Sequence, residues 1–242
     1  MKKTKSLNLN DFLEAEFKSA MQTVSYQKED LMLYERAFNL LLEMIENVGK
    51  KPPLSAVKSA SWFIVPRIVQ SLQSIRNLTL RGYYHDVAVV QRGYIESIGL
   101  CAYLFQSSEE EALNWIDGKD VGVAKTNLLS CATKLVKDAK TMDDKHSKSL
   151  YGQLCGYTHS NPRALISFFS DTDSSNLTIG APLVPIFDEK QGQYIAHYAI
   201  FTVAVLKEIF HDELEEGERN RITRLLNRYL HEMSYVYETK RS

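Results

Sequence analysis

The stretch Tyr84–Phe105, YHDVAVVQRGYIESIGLCAYLF, decides the fold, because it is the most continuously apolar part of this 242-residue chain. Its apolar side chains recur on nearly every side of a helix instead of forming one stripe. Such a helix is expected at the centre of a bundle, where neighbouring helices cover it. Arg92 and Glu96 interrupt it, and these two charges argue against a membrane span.

Helical spacing of apolar residues continues on both sides of this segment. The helix that precedes this segment contains Pro66, which is expected to kink it. Gly82 ends that helix before the apolar segment begins. After a first helix opened by a capping box of Asp11 and Glu14, helices are expected over about residues 30–48, 54–80, 84–105, 109–118, 121–140, 145–158, 194–211 and 218–237.

The pattern changes near residues 165–187. Ile166–Phe169 and Leu177–Ile179 flank a turn-rich stretch, which favours a small extended or β-hairpin insertion. No repeat, low-complexity tract or linker divides the chain. The sequence therefore predicts an all-α multi-helix bundle of seven to nine helices with this insertion, folded as a single helical domain over residues 1–242.

Composition excludes several classes of protein. The apolar fraction of 44% is typical of a globular chain, and 29 basic against 30 acidic residues provide no excess of positive charge for general nucleic-acid binding. The three cysteines are widely spaced and odd in number, so we expect reduced thiols in place of a disulfide framework. The N-terminus has no apolar signal region, and a cytoplasmic location is expected.

The charged pair in the apolar helix is the main candidate for a site. Arg92 and Glu96 stand at i and i+4, and burying either charge without a partner is costly. Two interpretations stay open: a structural ion pair that fixes the helix, or a functional cluster. His159, at the expected end of a later helix, could cap carbonyl groups there or donate to Glu96.

Two segments carry a resemblance. Residues 76–96, with Arg92 and Glu96 after a glycine-containing turn, and the later Tyr157-Thr158-His159-Ser160-Asn161-Pro162 resemble an uncharacterised family of bacterial helical proteins. The likeness covers about residues 70–165 and rests on short motifs. It implies that Arg92, Glu96 and His159 are neighbours in space, and it implies no activity.

A remoter likeness involves the last helix. Arg224 and His231 have the Arg-x(4–6)-His spacing of HEPN helical bundles, some of which are metal-independent ribonucleases. The residue after Arg224 is leucine, where those enzymes usually have a polar residue. This resemblance implies RNA as substrate, with the imidazole and the guanidinium acting on a phosphodiester.

Metal and cofactor motifs are weak in this sequence. Cys155 and His159 could present two ligands from one helical face, but no second pair completes a site, so no metal is predicted. Phosphate-binding loops and the nucleophile elbow are absent from the sequence, and no cofactor is expected.

The functional hypothesis is therefore a ligand- or partner-binding module, acting as a sensor or adaptor. Its polar pocket is expected to contain Arg92, Glu96, Tyr157 and His159, with Arg92 orienting Glu96 or clamping an anionic ligand. The partner is a small anionic ligand or a protein, with RNA only under the ribonuclease alternative and no membrane. The segment 165–187 could act as a lid or as the arm of a homodimer.

Overall fold

The computed structural model describes residues 8–51, 54–120, 122, 127–136, 187 and 195–239, and within them it contains eight α-helices and no strand. The prediction of an all-α fold is confirmed for this part of the chain. The predicted insertion near residues 165–187 lies outside the described residues, apart from Phe187, which has no regular secondary structure. The assignment of residues 1–242 to one domain stays a prediction.

The first helix, α1, spans Leu9–Tyr26 and begins one turn earlier than the sequence suggested. The Asn8 side chain accepts a hydrogen bond from the backbone N–H of Asp11 at 3.2 Å, and the Asp11 carboxylate accepts from the N–H of Asn8 at 2.9 Å. Asp11 is thus the third residue of the helix, and the predicted capping box of Asp11 and Glu14 is wrong. Both pairs have the same spacing, so periodicity could not separate them.

The next three helices lie close to their predicted ranges. Helix α2 spans Lys28–Gly49, α3 spans Ala56–Arg81 and α4 spans Tyr84–Gln106. Helix α3 continues through Pro66. It ends at Gly82, whose φ of 81° is in the left-handed region that glycine adopts without a steric penalty.

Two short helices follow α4. Helix α5 spans Glu109–Ile116 and α6 spans Leu128–Leu135. Helix α6 crosses α4 at Gly99, where an added Cβ would lie 2.4 Å from the backbone carbonyl carbon of Leu128. A side chain at this position would force the two helices apart, so the close approach depends on glycine. The predicted helix over 121–140 is too long, because Gly122 is not helical and α6 is capped at Asn127 and Val136; residues 121, 123–126 and 137–140 lie outside the described residues.

The chain closes with α7, Ala196–Ile209, a short 3₁₀ turn at His211–Glu213, and α8, Glu216–Thr239. Three polar pairs join α8 to α2. Residues later in α2 pair with residues earlier in α8, so these helices run antiparallel. The pairs are Arg36–Glu232, Glu43–Arg221 and Asn47–Glu218.

The beginning of α7 is fixed by a buried carboxylate from α2. Asp30, only 1% exposed, accepts hydrogen bonds from the backbone N–H groups of Ile195 at 2.7 Å and Ala196 at 3.4 Å. These donors have no partner inside their own helix, and the positive end of the helix dipole favours a negative charge there. Asp30 therefore sets where the last buried helix enters the bundle.

Helix α4 packs against α3, α5, α6 and α7. Its Tyr94 hydroxyl donates to the Tyr198 carbonyl of α7 at 3.0 Å and lies 2.9 Å from the Thr202 hydroxyl. Burial raises the pKa of the Tyr94 hydroxyl above its usual range, so it remains a neutral hydrogen-bonding group. Helix α4 therefore contacts four of the other described helices, while one of its sides is not fully covered.

Candidate functional site

One side of α4 carries side chains that the neighbouring helices leave partly accessible. His85, Val89, Arg92, Gly93 and Glu96 follow one another at intervals of three or four residues, with Gly93 beside Arg92. Residues at this spacing project from the same side of a helix. We call these five residues the α4 face.

Arg92 and Glu96 form the ion pair that their spacing predicted. The Arg92 Nε donates to the Glu96 Oε1 at 3.1 Å, and the two side chains are 19% and 23% exposed. About four fifths of each side chain is therefore removed from water, which strengthens the attraction between the two charges relative to an exposed pair. The bond also fixes the plane of the guanidinium, because Nε is the donor closest to the side-chain stem.

Open space adjoins Gly93 between the two charged residues. A Cβ built at this position meets no atom within 4 Å among the residues that the structure describes. The Gly93 carbonyl accepts a hydrogen bond from the Ser97 hydroxyl, one turn further along α4, at 2.7 Å. A small molecule could therefore approach the backbone of α4 next to the guanidinium.

His85 lies on the same side of α4, although it was not among the site residues predicted from the sequence. It lies seven residues before Arg92, close to two full helical turns, which is the signal that could have identified it. Burial lowers the pKa of His85, and the nearby Asp86 offsets this effect only in part. The imidazole is therefore neutral at pH 7 and offers one donor and one acceptor.

The other two residues of the predicted pocket, Tyr157 and His159, lie outside the described residues. Their proximity to Arg92 and Glu96 stays a prediction. The described part of the site is the α4 face, with a fixed cation, a fixed anion and a neutral imidazole along one side of the helix.

The residues of the ribonuclease alternative, Arg224 and His231, lie on α8, and both are exposed. They project from the same side of the helix, separated by about 10 Å along its axis. Two other arginines of α8 form ion pairs: Arg221 pairs with Glu43, and Arg228 pairs with Glu232. The ribonuclease hypothesis stays a prediction, which a cleavage assay on single-stranded RNA in the presence of EDTA would test.

The described residues contain neither a metal-binding cluster nor a membrane-spanning helix. No group of three His, Cys, Asp or Glu side chains converges as a metal site requires in the described ranges, and Cys155 and His159 lie beyond them. None of the helices in the described part of the chain is long and apolar enough to cross a bilayer. Comparison of the chain with family models, curated proteins and solved structures found no match.

Proposed function

We propose that this protein is a binding module, a sensor or adaptor, whose α4 face takes a small anionic ligand. The observation that carries the proposal is the largely buried Arg92–Glu96 pair with open space beside Gly93. A structural ion pair needs no such opening, whereas a binding site does.

Arg92 supplies the recognition of the anion. A guanidinium has five N–H donors in a planar fork that matches the geometry of carboxylate and phosphate groups. The bond from Nε to Glu96 holds this fork in one orientation, so less rotamer entropy is lost when an anion binds. Glu96 is therefore a positioning residue in the proposed site.

The rest of the α4 face favours a ligand with an apolar part. Val89 is 47% exposed although it is aliphatic, and it lies one turn from Arg92. His85 is neutral at pH 7, so it adds no second positive charge to the site. We infer an amphiphilic anion, with its charged end at Arg92 and its apolar end over Val89.

Residues beyond the described part of the chain are expected to complete the site. Tyr157 and His159 are proposed to face the α4 face, with His159 as a titratable donor, and the segment 165–187 is proposed to act as a lid. The same pocket would serve an adaptor, whose bound ligand changes the affinity for a protein partner.

Isothermal titration calorimetry on the full chain at pH 7 tests the proposal. The probes are hexanoate, inorganic phosphate and the uncharged hexanamide, and we expect hexanoate to bind more tightly than either of the others. The Arg92→Gln variant should weaken hexanoate binding at least tenfold, because a charge-assisted hydrogen bond is lost.

Helix α8 offers a matched control for this substitution. Arg228 donates through Nε to the Oε1 of Glu232 at 2.7 Å, the same atoms and the same i, i+4 spacing as in the α4 pair. The Arg228→Gln variant should bind hexanoate like the wild type. If neither anion binds the wild-type protein, or if Arg92→Gln lowers only the stability, the pair is structural and the proposal fails.

A further inference from the structure

Helix α1 turns its apolar side chains towards solvent. Leu9 is 73% exposed, Phe17 69% and Met21 60%, and the other two members of the row are about half exposed. Their spacing of four, four, four and three residues places them in one continuous stripe on the helix surface. The stripe, called here the α1 stripe, consists of Leu9, Leu13, Phe17, Met21 and Val24.

The opposite side of α1 is polar where it is most deeply buried. Ser19 is 1% exposed and Thr23 is fully buried, and neither hydroxyl has a hydrogen-bond partner in the described part of the chain. A buried hydroxyl without a partner is destabilising, while the exposed parts of the stripe contribute no burial energy. Phe12 and Tyr26 are partly buried on this side, whereas no described residue covers the exposed apolar row, and an apolar row of this length is typical of a contact surface.

We propose that the α1 stripe is the interface of a homodimer, in which the α1 helices of two copies pack antiparallel about a twofold axis. The stripe runs from Leu9 to Val24, so this axis passes beside Phe17, near the middle of the row. A twofold axis makes the interface self-complementary, because each copy presents the same surface to the other.

The charges beside the stripe select this arrangement. Glu14 and Lys18 lie on one flank of the stripe, four residues apart. In an antiparallel pair, this flank of one helix lies against the same flank of the other helix, with the two sequences running in opposite directions. Glu14 of one copy then faces Lys18 of the other copy, and Lys18 of the first copy faces Glu14 of the second. A parallel pair would instead bring Glu14 towards the other flank, where Glu16 accepts a hydrogen bond from the Tyr83 hydroxyl. The unlike charges therefore favour the antiparallel pair.

The area of the stripe is sufficient for a weak but specific dimer. Its five side chains expose on the order of 500 Å² in each copy, so pairing would bury about 1,000 Å², the lower limit of a specific interface. We therefore expect a dimer that dissociates on dilution, with a dissociation constant in the micromolar range. This inference does not depend on the ligand proposed for the α4 face.

Sedimentation equilibrium of the full chain over a range of concentrations tests the dimer. The wild type should shift from monomer to dimer as the concentration rises, and Phe17→Glu should weaken association at least a hundredfold, because two carboxylates would be buried at the centre of the interface. Phe63→Glu is the matched control, since Phe63 is 63% exposed on α3 and should leave association unchanged.

A charge exchange tests the antiparallel register. Glu14→Lys alone should weaken the dimer, because Lys18 would then face a second lysine, and the double variant Glu14→Lys/Lys18→Glu should restore wild-type association. Circular dichroism of each variant confirms that α1 is folded. A wild type that stays monomeric at every concentration overturns the proposal, whether the stripe binds vesicles, another protein or other residues of this chain. A double variant that stays as weak as Glu14→Lys also overturns it.

Discussion

Ser61 and Cys101 exchange two hydrogen bonds where α3 meets α4. The Ser61 hydroxyl donates to the Cys101 carbonyl at 2.9 Å, and the Cys101 thiol donates to the Ser61 carbonyl at 3.5 Å. Both residues are fully buried. Small residues here allow the two helices to lie close together, and each side chain meets a polar atom of the opposite backbone.

The Cys101 thiol should be inert in the folded protein. Burial raises its pKa to about 12, so about one thiol in ten thousand is ionised at pH 8, and only the thiolate reacts with iodoacetamide. In a Cys131→Ser/Cys155→Ser variant, where Cys101 is the single thiol, we expect alkylation at least a hundredfold slower in buffer than in denaturant. Equal rates in the two solutions would show that α3 and α4 separate readily.

Two glycines of α4 should respond in opposite ways to alanine. Gly93→Ala adds a Cβ that no described residue approaches within 4 Å, and it removes the entropic cost of a helical glycine. The free energy of unfolding should therefore rise by about 0.5–1 kcal/mol, measured by urea denaturation.

Gly99→Ala should instead destabilise the protein. Its Cβ would lie 2.4 Å from the Leu128 carbonyl carbon and 2.5 Å from the carbonyl oxygen, and backbone atoms cannot rotate away. Moving α6 off α4 should lower the free energy of unfolding by about 1–3 kcal/mol in the same urea titration. If both alanine variants unfold at the same urea concentration, the close approach of α6 to α4 is incorrect.

Removing the carboxylate of Asp30 should cost more than removing an exposed helix cap. Asp30→Ala leaves the buried N–H groups of Ile195 and Ala196 without this acceptor, so we expect a loss of about 2–3 kcal/mol in the free energy of unfolding. Asn8→Ala, at the exposed start of α1, should cost about 0.5–1 kcal/mol. Thermal unfolding followed by circular dichroism compares the two, and equal losses would contradict the capping role of Asp30.

The Arg36–Glu232 ion pair between α2 and α8 should make part of the stability depend on pH. The hydrogen bond from Arg36 lowers the pKa of the Glu232 carboxyl, with a smaller contribution from Arg228. Because the pKa of Glu232 is lower in the folded state, its ionised carboxylate stabilises the folded protein at pH values above the unfolded-state pKa. This stabilisation is lost as the pH falls through the folded-state pKa. Because the Arg36 and Glu232 side chains are 40% and 30% exposed, it amounts to at most about 1 kcal/mol.

The Arg36→Met variant tests this dependence. Its deficit in the free energy of unfolding should be largest near pH 7 and shrink below about pH 4, where carboxylates become protonated. Arg36 also lies over the ring of Tyr229, 5.3 Å from its centroid, and this contact does not titrate in acid. A deficit that stays constant from pH 7 to pH 3 would assign the whole effect to that ring contact and to packing.

The helices were predictable because apolar periodicity is a local property of the sequence. The predicted ranges of α2, α3 and α4 agree with the structure to within about two residues. The spacing of Arg92 and Glu96 likewise predicted their ion pair, since residues four apart are neighbours on any helix.

The orientation of α1 was not predictable in this way. Its periodicity identifies an apolar side correctly, but only tertiary packing decides that Phe17 faces solvent while Thr23 is buried. The contacts of Asp30 and Ser61 were also missed, because each joins residues far apart in the chain, and a single sequence does not show such pairs. A cap that belongs to another helix leaves no local pattern.

The cap that Asp30 provides has a consequence for the order of folding. The bond joins residues 165 positions apart, so one of the longest loops in the chain must close before it can form. During synthesis α2 leaves the ribosome well before Ile195, and until then the Asp30 carboxylate is hydrated. Docking of α7 must strip this water from the carboxylate, which makes it a late and slow step. Until α7 docks, the first half of the chain is therefore expected to remain incompletely packed, with an apolar surface accessible to chaperones.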